Sequence, residues 1–383
     1  MKINHLIGHN GAWNYSIYSE DGIGHEFIMS YLFFSSVNKK ILNSLEFKFV
    51  DLNLYFLSHE EVYIDYEKDG KKSQSKVNKK LIEKGIVCKK AGDFEINYDL
   101  FLKELDRFKY ENILIPFFDY NLDLKDKLAL NSEKIKEFRE NVKQQKEYLS
   151  YVVSYDELKN EGNFERILTW ITKFDIKGVY LILKDESSSE IKEDIEGLKK
   201  YIELIETLKE NDLEVHLGYN NNESFLLSVA MPDSITLGTY KNLRIFSKNN
   251  FIARQTKKAN FKVFSPLLLN TIQQTYVENI EAELRDNEKL NKYFPLNKYL
   301  VLKPETSNWQ LKEPAVYKYH MFELYKLLKK LPPNKKERKK YIIEKLNKSI
   351  EEYNFLTNEL RIRFDPKDSG DFLYKWLSVL EQI

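Results

Sequence analysis

Short apolar runs alternate with helical patterns through roughly the first 270 residues of the chain. The clearest pair is Leu213–Tyr219 and Ser234–Tyr240, two apolar runs that each reach a Gly and then a Tyr. A short helical pattern, Glu223–Ala230, lies between them. Apolar runs joined by a short crossover are typical of adjacent, buried, parallel strands. The same criteria predict six further strands, near residues 3–8, 47–55, 112–118, 149–154, 178–183 and 261–264.

Eight strands that alternate with helices over this length predict a (β/α)8 domain of the TIM-barrel type. A doubly wound open α/β sheet is the alternative, because the pattern does not show whether the sheet closes. The polar, lysine-rich residues 58–98 are predicted to form an insertion with a hairpin around Asp69–Gly70. After about residue 268 the pattern is helical, apart from the irregular segment Tyr293–Pro314. We therefore expect a barrel-like domain over 1–270 and a helical, basic C-terminal subdomain over 271–383.

Composition is that of an ordered globular chain and excludes several classes of protein. Apolar residues make up 42% of the chain and charged residues 31%. A net charge of +1 argues against capture of nucleic acid by the charge of the whole molecule. Cys88 is the single cysteine, which excludes an internal disulfide framework and a zinc site of several thiolates. The N-terminus has no signal-peptide pattern and no apolar run is long enough to span a membrane, so we expect a cytoplasmic protein.

Four acid/base candidates fall at predicted strand ends, where (β/α)8 barrels carry their active sites. They are His9, Asp51, Asp119 and Asp185. Asp119 and Asp185 would form the kind of carboxyl pair that glycosidic-bond chemistry uses. Three of these assignments have a structural alternative. His9 would bond to a loop backbone, Asp51 would anchor a structural network, and Asp119 would cap the next helix.

Ligand-binding candidates lie at the same predicted end of the barrel. The segment Gly238–Thr239–Tyr240 follows the seventh predicted strand, where barrels often bind phosphate through backbone N–H groups. The neighbouring cations predict an anionic ligand, and a solvated loop is the alternative. The full set of candidates is Asn10, Tyr219, Asn220, Thr239, Tyr240, Lys241 and Arg244.

The segment Lys326–Lys348 is strongly basic, with ten Lys or Arg residues against two Glu. Such a helical face suits the phosphates of a nucleic acid, with Lys335, Lys336, Lys339 and Lys340 as the predicted contacts. The C-terminal helices are also the expected surface for a protein partner. A solvated helix face with no partner shows the same pattern.

No sequence motif for a cofactor or a metal ion is present. The glycine turns match neither GxGxxG nor GxxxxGK[ST], and there is no GxSxG. His5, His216 and His320 lack the close spacing of a metal-binding motif. We therefore expect neither a cofactor nor a metal ion.

The stretch PDSITLGTYKNLR, Pro232–Arg244, resembles the tRNA-guanine transglycosylases in fold plan. These are barrel enzymes that exchange bases. Their corresponding strand ends in a catalytic aspartate, where this chain has Gly238, and their Cys-rich zinc site has no counterpart here. The resemblance implies the fold plan and does not extend to the activity.

These patterns predict an enzyme, or a degenerate enzyme, that acts on a phosphate-bearing ligand such as a nucleotide or a nucleic acid. The alternative is a non-catalytic sensor or adaptor, for example in a bacterial anti-phage defence system, an example to which no residue points. Converging carboxylates in an open barrel mouth would favour the enzyme. A mouth filled by bulky side chains would favour the adaptor.

Overall fold

A computed structural model describes most of the 383 residues of the chain. The described residues are 1–8, 11–34, 45–57, 59, 66–68, 71–73, 81–90, 93–184, 192–238, 243–248, 262–300 and 313–383.

Eight parallel strands close into a barrel, which confirms the predicted fold. Each strand pairs with the next barrel strand along the chain, and the last pairs with the first. The closed order excludes the alternative of a doubly wound open sheet. The strands are β1 (Lys2–Ile7), β2 (Phe27–Ser30), β3 (Glu46–Asp51), β4 (Lys109–Ile115), β5 (Tyr148–Ser154), β6 (Gly178–Lys184), β7 (Glu214–Asn220) and β8 (Ser234–Gly238).

Helices surround the barrel and continue into the C-terminal part of the chain. Several begin at a side chain that accepts a hydrogen bond from the backbone N–H three residues on, as Asp123, Asn160 and Asp194 do. Such caps satisfy N–H groups that have no partner inside the helix. The helices are α1 (Gly11–Asp21), α2 (Tyr98–Leu105), α3 (Leu124–Asn141), α4 (Tyr155–Lys159), α5 (Glu161–Thr172), α6 (Ile195–Glu210), α7 (Ser224–Leu227), α8 (Gln274–Leu284), α9 (Asn287–Tyr293), α10 (Glu313–Lys329), α11 (Lys335–Asn354) and α12 (Asp371–Gln382).

The pairing of β7 with β8 is parallel, as predicted from their matching apolar runs. The crossover between them contains α7 and a 3-10 turn, Ser228–Ala230, and the residues of both are buried. Leu217 is the register partner of Ile235.

Two strand assignments differ from the prediction, although the number of barrel strands is right. The second barrel strand is Phe27–Ser30, inside an apolar stretch whose periodicity gave no clear strand. It has four residues, too few to show a pattern of their own. Lys262–Ser265, predicted as the last barrel strand, instead pairs antiparallel with Asn270–Gln273 in a separate sheet. An apolar run alone does not specify the direction of its partner.

The predicted insertion between β3 and β4 contains two hairpins. Tyr66–Lys68 pairs antiparallel with Lys71–Ser73, which confirms a hairpin whose turn residues, Asp69 and Gly70, lie outside the described residues. Ile86–Lys90 pairs in the same way with Asp93–Ile96.

The C-terminal helices dock on the barrel near α6 and α7. The indole Nε1 of Trp376 in α12 donates to the carbonyl oxygen of Lys192, 2.7 Å away, just before α6. Arg338 of α11 donates to the carbonyl oxygen of Ser228 at 3.0 Å. Both donors are buried, so these contacts join the helices to the barrel wall. The domain boundary near residue 270 stays a prediction.

Aromatic side chains fill the barrel near its amino-terminal end, and ion pairs lie at the surface of that end. The ring of Phe49 in β3 lies 5.0 Å from that of His216 in β7. These strands are not neighbours in the sheet, so the contact crosses the interior. At the amino-terminal end, ion pairs join Lys2 with Glu26 and Lys48 with Glu111. In (β/α)8 barrels the amino-terminal end of the strands usually contributes to stability, and the active site lies at the carboxyl-terminal end.

Among the residues that the structure describes, no helix combines the length and the apolar character that a membrane crossing requires.

Candidate functional site

Polar side chains gather at the carboxyl ends of four barrel strands. Asp51, Lys184 and Asn220 are the last residues of β3, β6 and β7, and Asp119 follows β4. Because the strands are parallel, all four residues lie at one end of the barrel. Six predicted site residues fall outside the described part of the chain: His9, Asn10, Asp185, Thr239, Tyr240 and Lys241.

Asp51 is the acceptor at the centre of a buried hydrogen-bond network. One carboxylate oxygen accepts from the Tyr55 hydroxyl at 2.7 Å and from the backbone N–H of Asn53 at 2.9 Å. The other accepts from the Tyr219 hydroxyl at 3.2 Å. Asn53 donates to the Tyr219 oxygen and accepts from the hydroxyl of Ser30. We call these five residues the Asp51 network.

A bulge in β7 turns Tyr219 into the mouth of the barrel. Strict alternation would place Tyr219 on the outer face, because His216 lies inside. The pairing with β8 shifts between Leu217 and Asn220, so β7 carries one extra residue there. Tyr219 has a φ of 55°, in the left-handed region that tyrosine rarely adopts. Its ring therefore reaches the end of β3 on the far side of the barrel.

Burial controls the protonation of Asp51. Desolvation raises its pKa to about 6, and the hydrogen bonds from Tyr55, Asn53 and Tyr219 offset only part of that effect. The side chain is 1% exposed. Asp51 thus anchors a network inside the mouth, and its carboxyl group gains a proton near pH 6.

Bulky aromatic side chains cover the Asp51 network. The ring of Phe246, from the segment after β8, packs within 5.0–5.2 Å of the rings of Tyr55, Phe56 and Tyr219. All four are buried. This side of the mouth is filled, which is the condition that we set in favour of an adaptor.

A second group of charges lies at the ends of β4 and β6. The carboxylate of Asp119 accepts from Lys127 of α3 and from Lys184 of β6, each at 2.8 Å. Lys127 also donates to Glu157 at 2.6 Å. We call Asp119, Lys127, Glu157 and Lys184 the Asp119 cluster. The N-cap of the following helix is Asp123, so Asp119 does not have the capping role considered above.

Asp119 and Lys127 stay charged at neutral pH. Burial raises the pKa of Asp119, but the positive charges of Lys127 and Lys184 outweigh it and the pKa lies below the ordinary value of 3.8. The pKa of Lys127 is raised, because Asp119 and Glu157 together outweigh the effect of its own burial. Asp119 is therefore an ionised carboxylate that holds two ammonium groups in place.

His59 lies beside the cluster as a neutral imidazole. Its Nε2 is 2.7 Å from the carbonyl oxygen of Asp119, which only accepts, so Nε2 carries the proton. Burial lowers the pKa of His59. The hydrogen bond to Asp119 and the charge of Asp119 offset part of that effect, and the charges of Lys248 and Lys184 add to it. Nδ1 is then the nitrogen that accepts a proton.

Solvent reaches the Asp119 cluster but not the Asp51 network. The side chains of Lys184 and Glu157 are each 16% exposed. Asp51 and Tyr55 are buried. The Asp119 cluster is thus the part of the described mouth that a ligand meets first.

Arg244, a predicted phosphate ligand, is buried and contacts His320 of α10 through hydrogen bonding. His320 donates from Nε2 to the Oδ1 of Asn222 at 3.0 Å, and its ring stacks on Phe264 at 4.6 Å. Burial lowers the pKa of His320 well below its ordinary value, and Arg244 adds to the effect. Arg244 therefore joins the loop after β8 to the C-terminal helices, and it is not in the solvated loop considered as the alternative.

Gly238 and Asn220 close the ends of β8 and β7. A Cβ at Gly238 would lie 2.6 Å from the carbonyl oxygen of Leu243, where the chain folds back over the strand end. No side chain fits at the place where the transglycosylases have their aspartate. Asn220 is buried and donates to the carbonyl oxygen of Gly218 at 3.1 Å, which supports the bulge.

The four predicted nucleic-acid contacts lie at the start of α11. Lys335 pairs with Glu206 of α6 at 2.7 Å, and Lys339 donates to the backbone oxygen of Ile383 at 2.7 Å. Lys340 is 3.9 Å from Glu344, with its side chain 80% exposed. Lys336 is exposed as well. Part of the basic face therefore has an acidic partner within the protein.

Several residues that belong to the two groups or pack against them did not emerge from the sequence as site candidates: Ser30, Tyr55, His59, Lys127, Glu157 and Phe246. One signal for Glu157 was readable. Ser154 and Glu157 form a capping box at the start of α4, which places Glu157 at the end of β5. Lys127 lies on a helix, and no spacing rule relates it to Asp119.

Within the described residues, no group of three or more His, Cys, Asp or Glu side chains is arranged to hold a metal ion. No protein-family model, curated protein or solved structure matches this chain significantly.

Proposed function

We propose that this protein is a barrel enzyme, or a degenerate enzyme, that binds the phosphate of a nucleotide or nucleic acid at the Asp119 cluster. The observation that supports it most directly is the position of Lys184. Its ammonium group stands at the carboxyl end of β6, oriented by Asp119 and partly open to solvent. Functional sites of (β/α)8 enzymes lie at this end of the barrel.

The charges around Asp119 favour an anion. Lys127 and Lys184 contact Asp119, and the positive charge of Lys248 acts on the neighbouring His59. An ammonium group has three N–H donors, so Lys184 is able to bond to Asp119 and a phosphate oxygen together. Asp119 is then a positioning residue for the lysine.

His59 is the acid/base group of this proposal. It is neutral, its Nε2–H is fixed on the backbone of Asp119, and its Nδ1 accepts a proton. The lowered pKa of Asp119 does not suit a general acid. If Asp119 and Asp185 form the carboxyl pair of a glycosidic-bond reaction, Asp119 would be the base or the nucleophile and Asp185 the acid. Asp185 lies outside the described residues.

A non-catalytic sensor or adaptor is the second candidate, and the packing of Phe246 favours it. Phe246 packs against Tyr55, Phe56 and Tyr219 and covers the Asp51 network. Asp51, the carboxyl group with the raised pKa, therefore has no access to a ligand on this side of the mouth. Such a protein would bind the same phosphate-bearing ligand without converting it.

Binding and turnover are tested with one panel of ligands. Nucleoside mono-, di- and triphosphates and a short single-stranded RNA are titrated calorimetrically, with the unphosphorylated nucleosides as matched controls. We expect at least one phosphate-bearing member to bind at least tenfold more tightly than its nucleoside. Equal affinity for phosphorylated and unphosphorylated members would contradict the proposal.

Each ligand that binds is then incubated with the protein and followed by 31P NMR and chromatography. A product that forms with the parent protein but not with the His59→Gln variant supports the enzyme. Binding with no product from any member supports the adaptor.

A further inference from the structure

The centre of the barrel is polar, next to the Asp51 network. Thr236 of β8 faces Tyr180 of β6. These strands are not neighbours, so both side chains point into the barrel. Asn4 of β1 is the register partner of Thr236. The adjacent His5 contacts Asn14 of α1 on the outside, so alternation directs Asn4 inward.

Both polar atoms of the Asn4 side chain, Nδ2 and Oδ1, have no hydrogen-bond partner among the described residues. The hydroxyl groups of Tyr180 and Thr236 have at most each other as a partner in this part of the chain. Asn4 is fully buried. Burial of an amide without a partner is costly, and most buried polar groups in native proteins bond to protein or to ordered water.

Gly218 of β7 makes room for the Tyr180 ring in this layer. A Cβ at Gly218 would lie 2.6 Å from the ring and 2.8 Å from its hydroxyl oxygen. The hydroxyl group of Tyr180 therefore passes over β7 towards β8 and β1. The three polar side chains come from strands that follow one another around the barrel, with Gly218 between them.

We propose that the barrel centre binds water between Asn4, Thr236 and Tyr180. Branched apolar side chains dominate the centre of most such barrels, so a polar layer needs its own ligand. A cation would satisfy the oxygen atoms but not the Nδ2 of Asn4, which donates. Water accepts and donates, and it satisfies both kinds of group.

The first test is a crystal structure of the full chain at a resolution that shows ordered water. We expect at least one water molecule within hydrogen-bond distance of the Asn4 amide and of Thr236 or Tyr180. Direct bonding of the Asn4 amide to protein groups would overturn the proposal. A peak at this place after a soak in rubidium or thallium salt would also overturn it, in favour of a cation.

The second test is made in solution by NMR, with Asn131 as the matched control. Asn131 is equally buried, but its amide bonds to the backbone of Phe118 and Lys127. We expect a cross-peak between the Asn4 side-chain amide and long-lived water, and none for Asn131. Thr236→Val, which keeps the volume but removes one partner of the water, is expected to weaken the Asn4 cross-peak at least twofold. An unchanged cross-peak in this variant, or none in the parent, would contradict the proposed site.

Discussion

Asn53 donates a hydrogen bond to the hydroxyl oxygen of Tyr219 at 2.7 Å, and both residues have left-handed backbones. They lie at the ends of β3 and β7, on opposite sides of the barrel. Left-handed φ values cost a non-glycine residue about 1–3 kcal/mol each, and they tend to occur at functional sites. The contact joins two strained strand ends across the mouth. It also holds in place Asn53 and Tyr219, which both donate hydrogen bonds to Asp51.

Loss of the Tyr219 hydroxyl should destabilise the protein and change the titration of Asp51. Tyr219→Phe leaves Asn53 Nδ2 and one oxygen of Asp51 without this partner. We expect a loss of about 1–3 kcal/mol in the free energy of unfolding and a higher pKa for Asp51. Urea unfolding measures the first effect. Tyr374→Phe, at a side chain that is 52% exposed, is the control and should change little. Equal stability of both variants would contradict the role of the network.

The buried carboxyl of Asp51 should give a pH-dependent stability of its own. Its pKa is raised from 3.8 to about 6 on folding. Its contribution is therefore fully present below about pH 4 and is lost as the pH rises through 6. Asp51→Asn removes this loss. Between pH 4 and pH 8, the free energy of unfolding of the variant should therefore rise by about 3 kcal/mol relative to that of the parent.

The measurement is denaturant unfolding of the parent and Asp51→Asn across this pH range. His5 titrates in the opposite sense, because burial lowers its pKa to about 4, so only the difference between the two proteins isolates Asp51. Asp156→Asn, at a side chain that is 95% exposed, is the control. A difference that does not change with pH would show that Asp51 is not buried as described.

Removal of the Asp119 charge should cost stability. Asp119→Asn leaves Lys127 and Lys184 without the carboxylate that both contact. We expect a loss of about 3 kcal/mol, since breaking a buried pair leaves an uncompensated charge. Glu104→Gln, which removes an exposed pair with Arg107, should cost at most about 1 kcal/mol. Thermal unfolding compares the two variants. Similar small losses would mean that Asp119 is replaceable in the fold.

The exposed lysines of α11 should decide whether the basic face binds nucleic acid. Lys336 and Lys340 are the better targets, because both are exposed and Lys340 meets only Glu344 of its own helix, at 3.9 Å, whereas Lys335 and Lys339 contact residues outside α11. Lys336→Glu with Lys340→Glu should weaken RNA binding alike for all sequences and flatten its salt dependence. Fluorescence anisotropy at several salt concentrations measures both effects. RNA binding that equals that of the parent would leave this face without a nucleic-acid role.

The barrel could be predicted from the sequence but only part of the site could, for physical reasons. β7 and β8 were predictable because their apolar runs are long and their crossover is short. The four residues of β2 were not, because a short buried strand has no period of its own. The end of β4 indicated Asp119, but its contact with Lys127 depends on how α3 packs. Tyr219 was predicted at the mouth from its position at the end of a strand. The bulge that turns its ring inward, against the alternation of the strand, has no signature in the residue types.

The charge of Lys184 gives the most direct test of a phosphate site at the carboxyl end of the barrel. Lys184→Met removes that charge at the last residue of β6. Lys177→Met is the matched control. Lys177 lies just before the first residue of β6, at the amino-terminal end of the barrel, and pairs there with Glu214. The affinity for ATP, GTP and a short single-stranded RNA is measured calorimetrically for both variants and the parent. We predict that Lys184→Met weakens the tightest of these complexes about 10- to 100-fold, the equivalent of one charge-assisted hydrogen bond, and that Lys177→Met does not. Equal affinities for all three proteins, or no binding of any of these ligands by the parent, would contradict the proposed site.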